Sequence, residues 1–298
     1  MTARARREAL EGYLFLLPWA LGFLLLIAGP MIASLYLSFT QYDIARPPVF
    51  SGIDNYSRAL TVDPQFWPSL AKTFYYALIV VPVGLACSML LATLLNQKLL
   101  GTNVYRTLYF LPHLTPIVAT AVVWKVILHP EVGLLNTMLF YVGIKGPGWL
   151  SSVEWAIPAL MIMALWRGIG GNSMMIFLAG LQGIPNELYE AAAIDGANSW
   201  HRFRHVTVPM LSPTVFFNLT LGVIGALQVF ASALVASKGG PAYATWFYAL
   251  HIYNEAFVNF KMGYAAALAW IFFVIVLAIT YVQVKLSGRW VYYAGESG

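Results

Sequence analysis

Residues 74–95 read FYYALIVVPVGLACSMLLATLL, running from Phe74 to Leu95 without a charged side chain. A helix rises about 1.5 Å per residue, so roughly 20 apolar residues cross about 30 Å of hydrocarbon. This stretch is long and apolar enough to be a membrane-spanning helix. Working outward, five further segments meet the same length: Tyr13–Phe39, Leu108–Leu128, Trp155–Leu181, Met210–Ala236 and Tyr264–Lys285. The expected fold is an all-α membrane protein of about six transmembrane helices. Six is even, which puts both termini on one side. Composition agrees, because 60% of the 298 residues are hydrophobic and only 10% charged, whereas a soluble domain carries about 25% charged residues. A soluble domain, a disordered chain, a short amphipathic anchor and a disulfide-rich secreted module are all excluded. The lone Cys87 allows no internal disulfide.

Lys and Arg are retained in cytoplasmic loops, so their distribution sets orientation. With the N-terminus inside, the inner segments hold Arg4, Arg6, Arg7, Lys98, Arg106, Arg202, Arg204, Lys285 and Arg289. The outer ones hold Arg46, Arg58, Lys72, Lys145, Lys238 and Lys261. The bias favours cytoplasmic termini, with tails at 1–12 and 286–298 around a membrane domain at 13–285. The net charge of +5 therefore speaks to topology, not to nucleic acid as a partner; membrane lipid is the expected surroundings. The first apolar run is too long for a signal-peptide core and lacks a small-residue cleavage site, so it reads as a retained helix. No repeat or low-complexity linker divides the chain. The outer loops Thr40–Thr73, His129–Glu154 and Ser237–Gly263 either cap the outer mouth or serve as connectors.

Several chemistries are missing. No G-x-x-x-x-G-K-[ST] loop is present to cradle nucleotide phosphates, and no H-E-x-x-H or clustered Cys/His spacing points to a metal. The spans contain no paired carboxylates and no Ser/His/Asp order suited to catalysis, so no catalytic residue is expected and an enzyme is not. Charge in lipid costs about 2.5–3.5 kcal/mol on insertion scales, which singles out Lys125 and Arg167. Lys125 lies near a span end and can snorkel outward. Arg167, about 12 residues into the fourth span, is expected to face protein or a water cavity. No chain of intramembrane carboxylates accompanies it, which weakens a proton-driven secondary transporter.

The loop 182–208 between the fourth and fifth spans carries the strongest signal. Asn186 is a good N-cap, Glu187 and Glu190 suit the positive end of a helix dipole, Ala191, Ala192 and Ala193 propagate the helix, and Gly196 can take a left-handed C-terminal position. A short helix over about 187–195 is expected. Ser199 then acts as a second N-cap before the aromatic and basic segment Trp200–His205, which suits an anionic leaflet, and Pro209 opens the next span. The alanines would let another surface approach closely, with Glu190 and Asp195 as polar anchors; an ordinary capped interfacial helix is the alternative.

Glu190-Ala191-Ala192, then Gly196, then Val206-x-Val208-Pro209 resembles the E-A-A-x-x-x-G-x9-I-x-L-P motif of permease subunits of bacterial ATP-binding-cassette importers. Val206 and Val208 stand where Ile and Leu are usual. The resemblance extends over nearly the whole chain and is similar to the carbohydrate branch, for maltose-type sugars and glycerol phosphate. It is carried by Gly52-Ile53-Asp54-Asn55-Tyr56, Arg106-Thr107-Leu108-Tyr109-Phe110-Leu111-Pro112, Leu188–Ala197, Gly239-Gly240-Pro241 and Met262–Ala267. It implies half of a sugar importer in a bacterial inner membrane, working by alternating access. The implied partners are a second homologous permease, two cytoplasmic ATPase subunits and an extracytoplasmic sugar-binding protein. ATP and Mg would sit on the ATPases, leaving no cofactor on this chain. The loop helix, with Glu187, Glu190, Ala191, Ala192, Asp195 and Gly196, would dock on an ATPase. A secondary transporter and a non-transport membrane scaffold remain the rivals.

A sugar path needs hydroxyl-matching amides and an aromatic platform. On the fifth span Asn218, Gly222 and Gly225 share a face, with Gln228 and Phe230 above, and on the fourth Arg167, Gly168 and Asn172 lie at similar depth. Arg167, Asn172, Asn218, Gly222, Gln228 and Phe230 are thus the expected substrate path. The glycines could equally serve close helix packing.

Overall fold

The computed structural model describes residues 3–97 and 100–292, with backbone alone for residues 3–10. Lys98, the side chains of Arg4, Arg6 and Arg7, and tail residues 1–2 and 293–298 fall outside what is described. Among the described residues the fold is all-α apart from one two-stranded hairpin. Helix α1 (Ala3–Phe23) continues through a π-helical turn into α2 (Gly29–Ser38). Then follow β1 (Thr40–Gln41), β2 (Val49–Phe50), α3 (Asp54–Thr61), α4 (Phe66–Leu95), α5 (Thr102–Leu114), α6 (Ile117–Ile127) and α7 (Leu134–Tyr141). The remaining helices are α8 (Ala156–Gly168), α9 (Asn172–Gln182), α10 (Asn186–Ile194), α11 (Ser199–Arg202), α12 (Val208–Met210), α13 (Ser212–Leu227), α14 (Ala231–Ala236), α15 (Tyr248–Tyr253) and α16 (Met262–Ser287).

Among the described residues four stretches are long and apolar enough to cross a membrane: Glu11–Ser38, Phe66–Leu95, Ser212–Ala236 and Met262–Ser287. The other two expected spans are bent pairs, α5 with α6 at 94° and α8 with α9 at 43°. This corrects the reading of Leu108–Leu128 and Trp155–Leu181 as continuous helices. The first break falls at Thr115–Pro116, both in extended conformation, because proline supplies no N–H and pushes the preceding residue out of the helical region. The second falls at Gly168, Gly170 and Gly171. The second span also starts earlier than Phe74, at Phe66; Lys72 fits inside it because its Nζ donates to the Tyr243 carbonyl at 2.7 Å.

The chain forms two compact units, residues 1–64 with 252–274 and residues 65–251 with 275–298. In the first, buried Asn55 ties the end of α2 to the hairpin, its Nδ2 donating to the carbonyls of Ser38 at 2.9 Å and Thr40 at 2.8 Å. The Ser38 hydroxyl meets the Tyr56 hydroxyl at 2.6 Å. Tyr264 donates to Asp63 and lies under the Arg58 guanidinium, 4.9 Å from the ring centre. In the second unit, α4 packs against α9 and α13 around Ala92, Leu95, Met174, Phe177, Leu178, Leu181, Ile184 and Leu211. Within that unit residues 290–292 lie against α13, where the Tyr292 amide donates to Ser212 Oγ at 2.8 Å and Trp290 meets Phe216 edge-on.

Asn55→Ala leaves two buried carbonyls without their donor and should destabilise the first unit by about 1–3 kcal/mol. Thermal denaturation of the detergent-purified protein should shift down by several degrees, and an unchanged transition would show that the amide is dispensable.

Candidate functional site

Helix breaks leave backbone groups that lipid cannot satisfy, so such breaks survive only inside protein or along a watery cavity. Three breaks in the second unit converge on one cavity of about 440 Å³. The α5–α6 break contributes His113 and Ile117, the α8–α9 break Arg167, Gly168, Asn172 and Ser173, and the turn between α13 and α14 contributes Gln228, Val229 and Phe230. Tyr76 of α4 and Thr120 of α6 complete its polar wall. A second cavity of about 240 Å³ adjoins it, sharing Tyr76, Gly168, Ser173 and Gly225 and adding Ser88 and Gly222.

Arg167 holds the sharper break. Helix α5 ends with carbonyls that lack helical partners, and the guanidinium takes two backbone oxygens there. Its Nε donates to Thr115 at 3.4 Å and its Nη2 to His113 at 3.2 Å. The guanidinium also lines the cavity. The neighbouring glycines permit this approach, since a Cβ on Gly170 would collide with the Tyr109 carbonyl and one on Gly171 would lie 2.6 Å from His113 Nδ1. That Nδ1 is buried without a hydrogen-bond partner.

Of the residues expected along the path, the structure brings Arg167, Asn172, Gln228 and Phe230 together around the larger cavity and places Gly222 at the smaller. Asn218 is withdrawn from that set. It is 2% exposed and its Nδ2 donates along its own helix to the Thr214 carbonyl at 3.0 Å, so its amide is engaged away from both cavities. The glycines differ from each other: a Cβ on Gly222 would press on Val81 Cγ1 at 3.3 Å, whereas one on Gly225 would meet nothing within 4 Å. Gly222 therefore serves packing as well as lining. Tyr76, His113, Thr120 and Ser173 are lining residues that sequence reasoning missed; Pro116 inside an apolar run was the available signal for His113, while Tyr76 and Thr120 look like ordinary span residues.

The loop helix α10 spans Asn186–Ile194, within a residue of expectation. Two caps need correction. Pro185 occupies the N-cap position with no side-chain bond, leaving Asn186 inside the helix, and Asn198, not Ser199, caps α11 through Oδ1, which accepts from the His201 amide at 2.9 Å. Pro is compatible with a helix start because its missing N–H needs no partner there. At the other end Gly196 has φ +79°. Its amide donates to the Ala193 carbonyl at 3.0 Å and that of Ala197 to the Ala192 carbonyl at 2.9 Å, the paired bonds of a Schellman closure. Buried Ile184 and the Tyr189 hydroxyl, 3.0 Å from Thr207 Oγ1, anchor one side of the loop. Glu187, Glu190, Ala191, Asp195 and Gly196 are exposed, Ala192 is half-buried, and Ile194 is 87% exposed.

Gly170→Ala should force the α8–α9 break off α5 and cost about 1–3 kcal/mol, whereas Gly225→Ala should leave the thermal transition within about 0.5 kcal/mol of the parent. Equal melting behaviour of the two variants would show that the close approach at Gly170 does not constrain the fold.

Comparison with known proteins agrees with this architecture. Residues 81–292 match the family described as "Binding-protein-dependent transport system inner membrane component". The chain is 42% identical to YesP of Bacillus subtilis, a probable ABC transporter permease protein, covering 98% of this chain and 94% of that protein. It is 35% identical to LacF of Rhizobium radiobacter, a lactose transport system permease protein, covering 92% of each. Among solved structures it superposes on a chain of a bacterial ABC transporter involved in the import of the acidic polysaccharide alginate, with a TM-score of 0.85 at 24% identity, over 96% of this chain and 98% of that one. The chain is an integral membrane protein and belongs to the inner membrane components of binding-protein-dependent transport systems, transport subunits and not enzymes.

Proposed function

We propose that this chain is one permease half of an ATP-driven sugar importer, lining the translocation path with its cavity and receiving force from ATPase subunits through α10. The observation that carries this reading is the exposed helix α10, closed at its C-terminal end, in a loop that joins two cavity-lining spans. Helix α9 runs from the loop at Gln182 to the cavity at Asn172, eleven residues or about 16 Å. Leu178, Leu181, Ile184 and Leu211 pack α9, the loop and the start of α13 into one apolar cluster. Displacement of α10 is thereby transmitted to the breaks at Arg167–Asn172 and Gln228–Phe230. Close-packed cores shift between discrete arrangements more readily than they deform continuously, which suits alternating access.

In this reading two ATPase subunits bind ATP and Mg, a second homologous permease completes the path, and a sugar-binding protein delivers substrate from outside. The relatives named for sugar transport, such as LacF, support the substrate class, and a solved neighbour at the same TM-score of 0.85 is an importer in complex with its pentasaccharide-bound periplasmic protein. The chain lies in a bacterial inner membrane with both termini cytoplasmic, tails at 1–12 and 286–298 and the membrane domain at 13–285. Glu187, Glu190, Ala191, Ala192, Asp195 and Gly196 make the ATPase contact, Ile194 and Leu188 adding exposed apolar surface. Arg167, Asn172, Gly222, Gln228 and Phe230 line the path.

Gly196→Val places a β-branched residue at φ +79° and should cost about 1–2 kcal/mol at the helix end, and Glu190→Lys reverses an exposed charge. Both variants should insert normally, lose most sugar uptake and retain less ATPase subunit on co-purification. Wild-type uptake with an intact complex for both would remove α10 from the coupling path. The isolated chain should hydrolyse no ATP, and turnover by a preparation shown to be free of ATPase subunits would overturn the division of labour.

A further inference from the structure

Two of the sequence motifs take no part in the cavity or in α10, yet the structure joins them. Gly52–Tyr56 leads into α3 and Met262–Ala267 opens α16, both within the first compact unit. The Gly263 amide donates to the Tyr42 carbonyl at 3.1 Å, and a Cβ at Gly263 would collide with the Thr40 carbonyl. Helix α16 therefore starts hard against the hairpin that Asn55 secures. Between these elements is a pocket of about 370 Å³, and its lining includes Asp43, Arg46, Arg58, Lys261 and Tyr264.

Three cations face one carboxylate in that lining. Behind it Glu255 pairs with Lys261 at 3.4 Å and Asp63 accepts from Tyr264, so the positive surplus rests on the arginines. Arg58 lies 4.9 Å from the centre of the Tyr264 ring, and among the described residues neither it nor Arg46 forms an ion pair. Arg46 is exposed in the hairpin loop, in a turn closed by its amide on the Asp43 carbonyl at 3.2 Å and followed by Pro47 and Pro48. Proline fixes φ, so the backbone that presents this cation has little freedom left to lose on meeting a partner. The rim is apolar: Ile44, Phe50 and Ile53, on the segments that frame the pocket, are 56, 70 and 70% exposed. These segments lie between spans, Ser38 ending one and Phe66 beginning the next, so hydrocarbon is not their cover.

Arginines without ion pairs, set among exposed apolar side chains, are the composition of a protein-binding surface, whereas a free sugar or a small anion has no use for such a rim. With the N-terminus cytoplasmic, one span carries the chain to the outer face, where the extracytoplasmic binding protein arrives. A protein presents negative charge as carboxylates, whose two oxygens match the guanidinium fork. We infer that this pocket is a docking socket for the binding protein, seating an Asp or Glu side chain of that protein against Arg46 and Arg58 while its apolar neighbours rest on Ile44, Phe50 and Ile53. The hairpin and α3 lie outside the segment matched to the family, so the socket does not come with the family assignment. The inference rests on the importer reading and adds to it the surface and the chemistry that hold the delivery partner.

The test uses the whole transporter, with its permease and ATPase partners, in lipid nanodiscs made with and without acidic phospholipid. The quantity measured is its affinity for the cognate sugar-binding protein. Arg46→Glu should weaken binding about tenfold or more and Arg46→Lys less, and added salt should weaken wild-type binding more steeply than that of Arg46→Glu. Arg58→Glu should act in the same direction; because Arg58 also covers Tyr264, its melting transition is recorded beside that of Arg46→Glu, where the side chain is exposed. The defining result is rescue: among the surface carboxylates of the binding protein, changing one Asp or Glu to Lys should restore tight binding to Arg46→Glu and weaken binding to wild type. A photoreactive side chain placed at Ile44 should capture the same protein. Unchanged affinity for both arginine variants, absence of any rescuing carboxylate, or capture of the second permease from Ile44 overturns the inference and leaves the importer reading standing. An arginine effect seen only with acidic phospholipid would make the pocket a headgroup site and sink the inference equally. A complex whose ATP hydrolysis responds to no sugar-binding protein removes the importer reading itself.

Discussion

The structure depends on the requirement that every backbone polar group inside a bilayer be satisfied. An unbroken helix meets it internally, whereas each unpaired group at a break costs several kcal/mol in hydrocarbon. The chain breaks its third and fourth spans nonetheless, and the bonds from Arg167 to His113 and Thr115 join one break to the other. A single guanidinium thus satisfies carbonyls at the sharper of the two bent pairs while lining the cavity beside it. Glycines 170 and 171 are the geometric complement, because any Cβ at those positions would hold the two breaks apart.

The second theme is continuity between loop and cavity. Helix α10 is closed at its end by backbone bonds through Gly196 and Ala197 and fastened through Tyr189 to Thr207, just before α13. Its remaining faces are exposed and carry acidic, small and apolar residues side by side.

How much of this was legible in the sequence varies with how local the physics is. The spans were, because length and apolarity suffice, and so was Gly196, because few other residues tolerate its backbone. The break at Pro116 was written plainly but is invisible to hydropathy, which counts side chains and ignores a missing N–H. The caps moved by one position, from Asn186 to Pro185 and from Ser199 to Asn198, since adjacent residues were both competent and only helix register decides between them. Asn218 misled for a different reason. A polar residue in line with glycines reads as a ligand, yet an amide can be satisfied by the turn beneath it. The convergence of three breaks on one cavity lay beyond sequence reasoning, being a property of packing between distant segments.

The bent pairs also bear on how the chain enters its membrane. Helices α8 and α9 hold 13 and 11 residues, about 20 and 16 Å, so neither half alone reaches across the hydrocarbon. Arg167 sits at their junction and carries the insertion penalty of a charge until its carbonyl partners are present. Those partners belong to the third span, which the ribosome delivers first. The fourth span therefore gains a favourable resting place only beside a third already bent at Pro116, and the pair is best regarded as a single unit of membrane insertion whose order of synthesis matches its order of need.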